Sequence, residues 1–70
     1  MERGIAISGD MIRLGQLLKL AGIAGSGAEA KALLARGEVF VNGDRELRRG
    51  RQLHRGDVVR VRDEALRLTS

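Results

Sequence analysis

The segment from Arg45 to Arg55 reads Arg45-Glu46-Leu47-Arg48-Arg49-Gly50-Arg51-Gln52-Leu53-His54-Arg55, five arginines against one acid. Arginine is a planar, permanently charged fork of N–H donors that matches phosphate oxygens, so such a run is suited to holding a polyanion. Gly50 keeps the backbone open between flanking arginines, letting a phosphate reach main chain and guanidinium groups together. The same composition also suits a solvated loop between strands. A second anion site is suggested by Gly25-Ser26-Gly27-Ala28-Glu29 and Lys31. Free amides and the dipole of a helix start attract negative charge, the two glycines present no side chain, and Lys31 falls one turn beyond Gly27 on the same side. An ordinary capped helix start with an exposed lysine is the plainer alternative, and the Gly-Lys-Ser/Thr ending of a nucleotide-binding P-loop is missing.

Other chemistry finds little material. His54 is the only histidine, cysteine is absent, and no acidic pair stands in a context that would hold it in a cleft. Nucleophile–base triads and metal-ligand clusters therefore lack their components, and the chain is expected to be non-catalytic, with no cofactor and no metal. Phe40 is the one aromatic residue. It reads as core or sheet-surface packing, and with so few stacking platforms recognition is expected to run through backbone geometry and shape.

These side chains must be positioned by a small core. Seventy residues with 43% hydrophobic content suffice for one domain, 1–70, and the excess of 11 Arg and 2 Lys over 9 acids gives a net charge of +4 and a pI near 11.1. That balance favours polyanionic partners. A disulfide framework is excluded, and the most apolar stretch, Met11 to Ala24, is broken by Arg13, Gln16 and Lys19, so a cytoplasmic protein without a membrane partner is expected.

Leu14, Leu17, Leu18 and Ala21 recur at helical spacing, predicting a first helix that starts near an Asp10 N-cap and ends at Gly22, with Gly15 inside it. Ser26 and Glu29 have capping-box spacing, the carboxylate reaching back to the Ser26 amide. They open a second helix with Ala30, Leu33 and Leu34 buried and Gly37 at its end. From Glu38 the period becomes two: Val39 and Val41 face one way and Phe40 the other, followed by the tight-turn pair Asn42-Gly43. Arg55-Gly56-Asp57 makes another turn, and Val59/Val61, Ile5/Ile7 and Leu66/Leu68 repeat the alternation. The expected fold class is α+β, a helix hairpin covering a small, mostly antiparallel sheet of four to five short strands.

The order Arg13-Leu14, Ala21-Gly22, Ser26, Ala30-Lys31, Gly37-Glu38-Val39-Phe40-Val41-Asn42-Gly43 and Gly56-Asp57 resembles the RNA-binding domain named after small-ribosomal-subunit protein four. The match runs from about residue 12 to 61 and is most specific in the Gly-x-Val-x-Val-Asn-Gly segment. Within that family the chain is most similar to the small stand-alone bacterial YbcJ-like proteins. The resemblance implies the αL motif and RNA held along the helices and adjoining hairpin. By position, Arg13, Lys19, Gly27 and Lys31 would line the helical side, and Arg45, Arg48, Arg49 and Arg51 would extend the surface. Many family members carry an acid where this chain has Gly15 and an arginine where it has Gly27, so Lys31 and the loop arginines are expected to compensate. The implied role is non-catalytic binding of structured RNA, ribosomal or transfer RNA, by a monomer associated with the ribosome or with another RNA-processing protein. A protein-interaction adaptor using the basic loop or a strand edge is the alternative, and a DNA-binding helix-turn-helix fits the glycine-rich gap and following hairpin less well.

Overall fold

The computed structural model describes residues 2–70. In chain order the elements are β1 (Glu2–Ala6), β2 (Ile12–Arg13), α1 (Leu14–Leu20), α2 (Gly27–Ala35), β3 (Val39–Val41), β4 (Asp44–Arg45), β5 (Gln52–Leu53), β6 (Val58–Val61) and β7 (Glu64–Thr69). Five strands form one sheet in the order β1-β7-β6-β3-β4, antiparallel except for the parallel β1–β7 pair, and β2 pairs with β5 in a separate two-stranded ribbon. The α+β class and the mostly antiparallel sheet agree with the alternation in the sequence.

Strand periodicity sends Val39, Val41, Val59, Val61, Leu66 and Leu68 to one face, where they join Leu14, Leu17, Leu18, Ala30, Leu33 and Leu34 of the helices in a single buried cluster. Phe40, Arg60 and Ala65 alternate to the opposite face, in register across β3, β6 and β7. The helix hairpin therefore covers only one side of the sheet.

The first helix is shorter than its apolar stripe implies. Ile12 and Arg13 are extended and paired with Leu53 and Gln52, Arg13 has ψ 150°, and the helix starts at Leu14. Asp10 is not its cap: that carboxylate is exposed and meets Arg55 at 3.5 Å. The helix start is closed instead by other groups, since Leu14 and Gly15 donate their amides to the carbonyls of Arg51 and Arg49 at 2.9 Å each. Gln16 also folds back to accept the Arg13 amide at 3.1 Å. At the second helix Ser26 Oγ accepts from Glu29 N at 3.2 Å, as expected, but the Glu29 carboxylate reaches past Ser26 to the Gly25 amide at 2.6 Å.

The turns are joined to one another. Asn42 (φ 50°) and Gly43 (φ 92°) make the left-handed pair that suits a tight hairpin. The Asn42 side chain also accepts from Val58 N at 2.9 Å and donates to Asp57 Oδ1 at 3.1 Å, while Asp57 Oδ2 accepts from His54 N at 2.8 Å. Burial pushes the Asp57 carboxyl up, but the hydrogen bonds from the His54 amide and Asn42 outweigh it and hold the group below its ordinary value.

Candidate nucleic-acid interface

Fixing the loop carbonyls on the α1 amides brings the arginine loop against the helix hairpin. The seam is an open groove of about 520 Å³ lined by Arg13, Gly15, Gln16, Lys19, Gly27, Ala30, Arg49 and Gly50. Four of the residues singled out by sequence, Arg13, Lys19, Gly27 and Arg49, thus meet in one place, together with Gly50. No acidic residue lines the groove.

Gly15 and Gly27, one on each helix, both have Arg49 as the nearest neighbour of an added Cβ. A Cβ on Gly15 would stand 3.5 Å from Arg49 Cβ, so this position admits the loop at contact distance. A Cβ on Gly27 would stand 4.0 Å from a terminal nitrogen of Arg49. The guanidinium of a loop arginine therefore lies beside the Gly27 position on the second helix.

The charges sort into paired and unpaired sets. Arg3 pairs with Glu64 and Arg67 with Glu2 at 3.5 Å, Arg55 with Asp10 at 3.5 Å, and Arg62 with Glu38 at 3.0 Å. Among the described residues, Arg13, Lys19, Lys31 and Arg49 have no carboxylate within ion-pair distance. Arg36, Arg45 and Arg60 likewise have no carboxylate within ion-pair distance among the described residues, but only in the groove do three such cations, Arg13, Lys19 and Arg49, line one acid-free surface whose positive field is uncancelled.

The other predicted site residues fall outside the groove lining. Lys31 is exposed on α2. Arg45 lies with its guanidinium carbon 5.6 Å from the centre of the Phe40 ring, and its chain passes 3.4 Å from where a Gly37 Cβ would be. Arg48 and Arg51 converge on Glu46, at 3.1 Å and 2.9 Å. The Glu29 carboxylate, already on the Gly25 amide, disfavours a further anion on that side of the α2 start.

Glu46 is the functional residue that sequence reading missed, because it looked like a lone acid diluting a basic run. It is the buried charged residue of the core region, 7% exposed, and accepts from the Leu47 and Arg48 amides at 3.0 and 3.1 Å as well as from both guanidinium groups. Hydrogen bonds from the Arg48 side chain, then the Arg51 side chain and the Arg48 amide, outweigh burial and lower its carboxyl to about 2. Its spacing, with arginines two and five residues on, is the one signal that could have marked it. Gly15, Gln16 and Ala30, the groove residues not singled out as contacts, carried no such signal.

The architecture and the groove define the class of protein: a small α+β domain of the αL type, a helix hairpin on one side of a sheet with a basic loop fastened to the first helix. The chain belongs to the S4 domain family, whose model matches residues 5–69. It is similar to the probable ribosome maturation protein RlbA of Bacillus subtilis (strain 168), with 49% identity over 61 residues, 87% of this chain and 86% of that protein. Family and relative together support an RNA-binding or ribosome-associated role. Among the described residues, no helix is long and apolar enough to cross a membrane.

Proposed function

We propose that this chain is a non-catalytic, monomeric, cytoplasmic RNA-binding protein that grips the phosphate backbone of structured RNA in the Arg13–Lys19–Arg49 groove. The observation that carries the reading is the convergence of unpaired charge: Arg13, Lys19 and Arg49 line one groove that no acid enters, whereas Arg3, Arg55, Arg62 and Arg67 are paired with acids. Arg49 takes the part of the helix arginine that Gly27 replaces, Gly50 leaves main chain accessible, and Lys31, Arg48 and Arg51 extend the field around the groove. The similarity to a probable ribosome maturation protein supports ribosomal RNA ahead of transfer RNA as the target, and a place in ribosome maturation as the role.

Binding of a blunt-ended RNA duplex, titrated at several salt concentrations, tests the reading. Three groove cations releasing counterions predict that log K falls with log salt at a slope of about −2 to −3. Arg49→Ala should weaken binding and flatten that slope by about 0.7–0.9. Gly27→Arg introduced into the Arg49→Ala protein should recover much of the loss, because the new side chain starts beside the vacated guanidinium. A flat salt response, or full affinity in an Arg13→Ala/Arg49→Ala protein, would overturn the reading and favour the adaptor role.

A further inference from the structure

The face of the sheet turned away from the helices carries a second arrangement of charge. Strand alternation places Phe40 outward on β3, with Arg45 opposite it on β4, Arg60 opposite it on β6, and Ala65 beyond Arg60 on β7. The lone aromatic ring is thus flanked on both sides by arginine. Arg45 is held from two directions, over the ring at 5.6 Å and across Gly37, whose φ is 72° and whose missing Cβ would stand 3.4 Å from the side chain. Arg60 has no carboxylate partner among the described residues, and the neighbouring outward arginine, Arg67, is already paired with Glu2. Ala65 and Gly43 are small, and with Phe40, Asn42, Val58 and Arg60 they shape an open hollow of about 630 Å³ that contains no acid.

We propose that this hollow is a second RNA site, distinct from the groove, that takes an unpaired nucleotide: its base stacks on the side of Phe40 that Arg45 does not cover, and its flanking phosphates meet Arg60 in the hollow and Arg45 at its rim. Several observations favour this occupant. The two guanidinium groups call for an anion, and no acidic side chain in the hollow competes for them. The half-buried ring between them offers a flat surface to which any base can stack. The small side chains beside it leave a depression rather than a ridge. An acidic protein segment would satisfy the charges but leave the ring uncovered. Phe40, which reads as simple sheet packing in the sequence, becomes the platform of this site. Arg45, grouped by sequence with the loop arginines, belongs to this face.

The test compares a blunt-ended RNA duplex of two strands with the same duplex carrying a single-stranded tail of uridines, using the full chain and fluorescence anisotropy. The tail is expected to tighten binding. Phe40→Leu should weaken the tail's contribution about fivefold or more while leaving the blunt-ended duplex unaffected. Arg60→Gln should reduce the extra salt slope that the tail brings by about 0.7. Failure of the blunt-ended duplex to bind at all would count against the groove, whereas the tail, offered as a free oligouridylate, still reports on the sheet. Should Phe40→Leu unfold, photocrosslinking of a 5-iodouridine tail to the unaltered protein supplies the answer, with crosslinks expected on β3, β4 and β6. Tail binding that is unchanged in Phe40→Leu and Arg60→Gln, or crosslinks confined to α1 and the arginine loop, would overturn the proposal. So would a Phe40-dependent affinity for polyglutamate with none for the tail, which would assign the face to an acidic protein segment.

Discussion

Replacing Glu46 with glutamine should destabilise the domain at neutral pH and should stop doing so in acid. The substitution keeps the shape of the side chain but removes the charge on which the amides of Leu47 and Arg48 and the guanidinium groups of Arg48 and Arg51 converge. A carboxyl held at about 2 against an ordinary 4.5 corresponds to about 3 kcal/mol, at roughly 1.4 kcal/mol for each tenfold change in proton affinity. The Arg48 side chain is 75% exposed, so solvent screens part of this, and about 1–2 kcal/mol is expected at pH 7. In a domain of this size that lowers the melting temperature by about 5–15 °C. The sign with pH follows from the lowered value. The stabilisation is complete above about 4.5 and is lost as the pH falls through about 2, where the native carboxylate takes up a proton. Melting curves of Glu46→Gln and the unaltered protein should therefore stand apart at pH 7 and converge near pH 2. Equal stability at pH 7, or a gap that persists unchanged to pH 2, would refute the assignment of Glu46 as the electrostatic anchor of the loop.

Asn42→Ala removes the acceptor for Val58 N and the donor to Asp57, and should cost about 1–3 kcal/mol in urea unfolding. Gly37→Ala places a side chain at φ 72° and against Arg45, so a loss of about 1–2 kcal/mol is expected in the same assay. Gly50→Ala, with nothing within 4 Å of the added methyl group, should leave the melting temperature unchanged but weaken duplex RNA binding, because the methyl group stands where main chain is open to phosphate.

Much of the scaffold was legible because its signals are local. The pairs Val39/Val41, Val59/Val61 and Leu66/Leu68 alternate, and each proves buried; Asn42-Gly43 announces its turn by the backbone angles it must adopt. The start of α1 was not legible. Leu14, Leu17 and Leu18 mark the buried stripe correctly, but where the helix begins is decided by carbonyls of residues 49 and 51, over thirty positions away, which no window of sequence contains. The site was half legible for the same reason. Counting arginines finds the basic loop, yet which of them are available depends on Glu46 and on acids distributed along the chain. Arg48, Arg49 and Arg51 look equivalent in sequence, and only Arg49 lines the groove. Composition reports how much charge there is, and folding decides where it is cancelled.

The parallel pairing of β1 with β7 bears on how fast the fold can form. Every partner in that ladder, from Glu2–Ala65 to Ala6–Thr69, is separated by 63 positions. Contacts of such long sequence separation are slow to make, because the loop must close before any hydrogen bond is gained. During synthesis, β1 must therefore wait for almost the whole described chain before its partner exists, while the α1–α2 hairpin and the β3–β4 turn form from neighbours. Refolding should accordingly be limited by docking of β1, with substitutions at Ile5 changing the folding rate more than the unfolding rate.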